Sequence, residues 1–167
     1  MTLRSIVFTF VAIFAMVACG PSAAQIKTAR TAQYNTTASA AFQAGVAALP
    51  ANGFKIDQAD PVAGRALSQA RWFERDGTSA AKDANGNPRV ADGAVVVAFE
   101  IGVVSEGSTV SVKVVPHVQQ HRDGLSATVP LAEDDPSMPG WIHGMLDNIY
   151  LDIYNKLKAS AVAPSDT

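Results

Sequence analysis

Residues with chemistry to offer are few in this 167-residue chain: three histidines, one cysteine and fifteen Asp or Glu side chains. His117 and His121 stand four apart in the stretch PHVQQHRDG. On a helix that spacing puts two imidazoles on one face, where they bind zinc when a Glu follows the first. Val118 holds that place, and Pro116 and Asp123-Gly124 frame a strand end and a turn. The pair therefore predicts a surface loop; His143 and Asp123 are the residues that would complete a ligand set in space. Asp83, Asn85 and Asn87 alternate like the oxygen ligands of a calcium loop. Where that geometry requires Gly and Glu, the chain has Pro88 and Ala94, which predicts a plain turn between strands.

The carboxylates Asp57, Asp60, Glu74, Glu100, Glu133, Asp134 and Asp135 include one in an unusual setting. Glu100 interrupts the most apolar run of the chain. It is expected either to pair across strands with Lys113 or Arg71, or to line a pocket with a raised pKa. No G-x-S-x-G, glycine-rich phosphate loop or dinucleotide fingerprint is present. The expectation is a protein that is not an enzyme and carries no metal or cofactor.

The cysteine lies in a different kind of segment. Arg4 gives a positive start, and Ile6 to Ala18 form an apolar run broken only by Thr9. Such a run of about 13 residues is shorter than the roughly 20 a membrane span needs, so it predicts a signal peptide. Met16-Val17-Ala18-Cys19 resembles the lipobox of bacterial lipoproteins. That resemblance implies that Cys19 is acylated on sulfur, becomes the new N-terminus and is then acylated on nitrogen. Covalent lipid on Cys19 is then the only group attached, and several acyl chains anchor firmly where one holds only marginally. Gly20 stands where lipoproteins retained at the inner membrane often carry Asp, which implies the outer membrane, facing the periplasm. The alternative is an ordinary signal peptide cut at Ala18 or after Ala24, with a free thiol. With no second cysteine, no intrachain disulfide can form.

These features divide the chain into a leader (1–18), a lipidated N-terminus and flexible tether (19–33), one domain (34–158) and a disordered tail (159–167). Net charge of −2 and a pI near 5.8 argue against nucleic acid as a partner. Within the domain, Asn35-Thr36-Thr37 is expected to cap a helix with Ala38, Ala41, Phe42, Val46 and Leu49 on its apolar stripe, stopped by Pro50 and Gly53. Gly45 either weakens that helix or admits a strand closely. Strands are expected at 54–60, 65–75 (Ala66, Ala70 and Trp72 on one face), 94–104 and 109–119, with a short edge strand in LSATVPL. The run AVVVAFEIGVV reads as buried on both faces. Trp141, Met145, Ile149, Ile153 and Leu157 mark the last helix, capped by Asp135 or Ser137, with Asp152 and Lys156 paired on its wet side.

The order α-β-β-β-β-α predicts an α+β two-layer sandwich, a twisted antiparallel sheet of four to five strands with both helices on one face. It is similar to small α+β lipoproteins of bacterial envelopes, some like the sheet-plus-two-helices domains of outer-membrane assembly accessory subunits. The leading expectation is a non-catalytic, lipid-anchored domain that binds another envelope protein or supports envelope integrity. Its candidate binding surface is Ala94, Val96 and Ala98 on the uncovered sheet face, with Tyr150 and Tyr154 on the last helix. A second expectation is a small apolar ligand in a cavity lined by Phe99, Trp72 and Ile153, and the last alternative is a hydrolase or metal enzyme, against which the failed motifs stand.

Overall fold

The computed structural model describes residues 20–124 and 127–162. Cys19, the apolar leader and residues 163–167 lie outside the described residues. The elements are α1 (Ala23–Thr31), β1 (Gln33–Tyr34), α2 (Ala38–Ala51), β2 (Ile56–Asp60), β3 (Arg65–Ser68), β4 (Arg71–Phe73), β5 (Val95–Glu106), β6 (Thr109–Gln120), β7 (Val129–Leu131) and α3 (Gly140–Leu157). All strands pair antiparallel in one sheet of order β1-β6-β5-β3-β2; β4 lies beside β5, and β7 beside β6. Helices α2 and α3 cover one face of it. The α+β sandwich is as expected, with seven strands rather than four or five.

The β5–β6 hairpin is its spine. Its two strands of twelve residues meet at Gly107-Ser108, where Gly107 has φ +61°, a conformation that suits glycine. Alternation then decides the layers: Val95, Val97, Phe99 and Ile101 are each 0% exposed and face the helices. Helix α2 starts at Thr37, whose hydroxyl accepts from the Ala40 amide at 3.1 Å. Gly45 is the point of close approach, since a Cβ there would stand 2.6 Å from Ile101 Cγ2. Any side chain at 45 would push α2 off β5.

Helix α3 buries Ile142, Leu146, Ile149, Ile153 and Leu157, while Trp141 and Met145 sit half-buried at the margin. Its first turn follows Pro139, without a side-chain cap. Asp135 Oδ1 instead accepts from the Ser137 amide at 2.8 Å, closing a separate turn. Asp152 accepts from Asn52 Nδ2 at 2.7 Å and so ties α3 to the end of α2 rather than pairing with Lys156.

Four expectations need correction. The expected strand 65–75 is two strands around a β-bulge. Residue sums of paired positions are constant within β3–β5 and within β4–β5, but Arg71 faces Val97 where an unbroken ladder would offer Ala70. One residue is inserted, so Trp72 points to the face opposite Ala66 and Phe73 takes the core position. The expected tether 19–33 contains α1, closed by a capping box between Ser22 and Gln25 and seated on α3 through buried Ala29. The expected disordered tail begins in register with the sheet: Ala161 bridges Tyr34, and the Val162 amide donates to Gln33 O at 2.8 Å. Finally, β5 is central but covered by helices on one side only, and Val96, Glu100, Gly102 and Val104 are part-exposed.

Candidate binding face

Even-numbered residues of β5 and odd-numbered residues of β6 point away from the helices. Pairing across β3, β5 and β6 assembles them into rows: Leu67–Glu100–Val115, then Ala98–His117 and Val96–Gln119 on one side, Arg65–Gly102–Lys113 on the other. Trp72 joins beside Val96. Ala94 is fully buried and Ala98 nearly so, whereas Val115 is 46% exposed. The face is thus mixed: Leu67, Val96, Ala98, Val115 and Trp72 form an apolar patch bordered by Gln119 and Lys113 and crossed by one polar array.

That array is built on Glu100. Its Oε1 accepts from Arg65 Nε at 2.8 Å and from Arg65 Nη2, and its Oε2 lies 3.0 Å from His117 Nε2. The Arg65 hydrogen bonds hold the Glu100 carboxyl below the usual carboxylate range, helped by His117 and opposed by partial burial. The expected partners Lys113 and Arg71 are not used. Lys113 stands opposite Gly102, one row away, and Arg71 lies beside Val97 on the other face. Three strands must be in register before Arg65, Glu100 and His117 meet. No single stretch of sequence carries that signal.

Tyr150 and Tyr154 do not belong to this face. The Tyr150 hydroxyl accepts from the Val114 amide at 2.9 Å, in the gap that β1 and β7 leave along β6, and its ring lies 5.9 Å below the Arg30 guanidinium. Burial pushes the Tyr150 phenol pKa upward. Pro116 sits two residues on, with its nitrogen toward the same gap, where a missing donor costs nothing. The candidate surface of Ala94, Val96, Ala98, Tyr150 and Tyr154 therefore separates into two groups on opposite sides of the sheet.

Other expected placements shift as well. His117 is a strand residue, and His121, beyond the strand end, lies 3.7 Å from Asp123 Oδ1. Four residues of strand place the two rings about 13 Å apart, too far to share an ion. Among the described residues, no group of three His, Cys, Asp or Glu is placed to hold a metal. Asp83 Oδ1 accepts from the amides of Asn85 and Asn87, each at 2.9 Å, which closes a turn through Gly86. Phe99 and Ile153 fill the core while Trp72 lies across the sheet, so the expected apolar cavity does not form from them. Trp141 closes the sheet end: its indole N–H donates to Arg75 O at 3.0 Å and its ring centre lies 5.2 Å from that of Phe73.

No family model matches this chain, and no curated protein sequence matches it.

Proposed function

We propose that the chain is a non-catalytic, lipid-anchored protein of the bacterial envelope, acylated on Cys19 and held at the outer membrane on its periplasmic side. Its helix-free sheet face, centred on Leu67, Val96, Ala98 and Val115 around the Arg65–Glu100–His117 array, binds another envelope protein. The observation that supports this reading is the bare face itself, where Leu67, Val96 and Val115 stay exposed or part-exposed with no helix over them, around a polar array already fixed in place.

The short link to α1 supports the same orientation. Only Gly20, Pro21 and Ser22 separate Cys19 from α1, a reach of roughly 10 Å when extended. Pro21 and Gln25 share a groove with Asn148, Leu151 and Asn155 on the outer side of α3. An anchor at Cys19 therefore turns the helix layer toward lipid and the bare sheet face away from it.

The test is fractionation of cells carrying the wild type or Cys19→Ser, with mass spectrometry of the N-terminal peptide. Acyl chains on Cys19, and release of Cys19→Ser from membranes, are expected. In the same cells a photocrosslinker at Val115 should give one discrete protein adduct that a crosslinker at Lys27 does not. Identical fractionation of the two forms sinks the anchor, and adducts equal at both positions sink the docking face.

A further inference from the structure

On the flank of the sheet, a groove of about 380 Å³ runs between the end of α2, the bulge at Gln69-Ala70 and the loop that follows β4. Three cationic residues line it, Lys55, Arg71 and Lys82; no carboxylate does. That concentration of positive charge occurs in a chain whose net charge is −2. Among the described residues, none of the three forms an ion pair.

The cations are held differently. Lys55 and Lys82 are exposed. Arg71 is built in: its guanidinium lies 5.2 Å from the Phe54 ring centre and 4.9 Å from that of Phe73. Its Nη1 donates to Gly53 O at 2.7 Å and its Nη2 to Ser79 Oγ at 3.1 Å. All of those partners are neutral, so they fix the guanidinium without cancelling its charge. Gly53 is bound to this arrangement twice, by φ +80° and because a Cβ would stand 2.8 Å from Arg71 Nη1. Across the groove, Asp83 is the nearest acid in sequence to Lys82, and its carboxylate is turned into its own loop, on Asn85 and Asn87.

We propose that this groove is a binding site for a small phosphorylated ligand, with Lys55, Arg71 and Lys82 on the phosphate oxygens. A multiply charged anion suits three cations lining one groove better than a single carboxylate would. A free phosphorylated metabolite and a lipid headgroup share this chemistry. The site is independent of the bare sheet face and of the anchor at Cys19.

Calorimetric titration of the full chain, in a non-ionic detergent at low salt, with inorganic pyrophosphate is the direct test. Binding with a Kd below about 1 mM is expected, weakened at least roughly tenfold in Lys55→Gln/Lys82→Gln. Lys27→Gln/Lys156→Gln, which alters two lysines outside the groove, should bind as the wild type does, and circular dichroism checks that both doubles fold. Absence of binding, or equal loss in the two double variants, overturns the site. Sedimentation of the Cys19→Ser chain with phosphatidylglycerol vesicles identifies the source. Retention that depends on Lys55 and Lys82 and is displaced by pyrophosphate assigns a headgroup, whereas pyrophosphate binding without it assigns a soluble ligand.

Discussion

At the scale of single residues, Ser68 does the most with the least. Apart from the phenol of Tyr34 it is the only polar residue among the buried side chains described, at 2% exposed, and it ends β3 where the bulge breaks the ladder. The break leaves the Phe99 amide without a strand partner, and Ser68 Oγ accepts from it at 2.9 Å. A buried N–H without a partner costs about 1–3 kcal/mol. Ser68→Ala should therefore lower unfolding free energy by about that amount, read as a drop in urea midpoint at unchanged slope. A loss within roughly 0.5 kcal/mol would mean that the Phe99 amide finds another acceptor and that the bulge does not depend on this hydroxyl. Alanine at 68 keeps the Cβ, so the measurement isolates the hydrogen bond rather than the volume of the side chain.

At the scale of elements, legibility followed periodicity. The alternation of Val95, Val97, Phe99 and Ile101 against Val96, Ala98 and Glu100 placed β5, and the valines of β6 placed its partner, because a period of two survives in sequence unaltered. The bulge did not, since one inserted residue leaves composition untouched and shows only as a change of pairing register. For that reason the expected face of Trp72 is the wrong one, while the Arg65–Glu100–His117 array stays out of sight because its members come from three separate strands. Helix α1 is a different case. Its apolar face is little more than Ile26 and Ala29, too weak a stripe to see, yet the Ser22…Gln25 capping box was there to be read. What seats this helix is tertiary: Ala29 buried at 3% exposure, and Arg30 Nε donating to Asp147 Oδ1 at 2.7 Å. Ala29→Arg should then lift α1 from α3 while leaving the sheet intact. Hydrogen exchange over 23–31 should rise to that of a free peptide, with protection along β5 and β6 retained. Protection of α1 equal to the wild type would place its stability in the capping box alone, a poor fit to a nine-residue helix, since isolated helices of that length are marginal.

At the scale of the whole molecule, both ends of the described chain converge on one buried phenol. Tyr34, 1% exposed, pairs with Val110 on one side and bridges Ala161 on the other, while the Asn35 amide donates to Ser160 O at 2.7 Å. Burial, with smaller contributions from Tyr154 and Tyr150, pushes its pKa from the ordinary 10.0 up to about 12. The sign follows from which form the fold prefers. A phenol whose pKa is raised on folding stabilises the native state fully below its unfolded value, and that contribution is lost as pH climbs from 10.0 toward about 12. Alkali should therefore loosen the molecule where its ends are tied, before the β5–β6 spine gives way. Tyr34→Phe removes the titration but keeps the ring. Its stability at neutral pH should lie within about 1 kcal/mol of the wild type. Its decline with rising pH should be shallower, and amide protection at Tyr34 and Ala161 should persist to higher pH than in the wild type. Parallel pH curves for the two proteins would mean that Tyr34 ionises as readily in the fold as out of it, and the junction of the two chain ends would then owe its stability to backbone pairing alone.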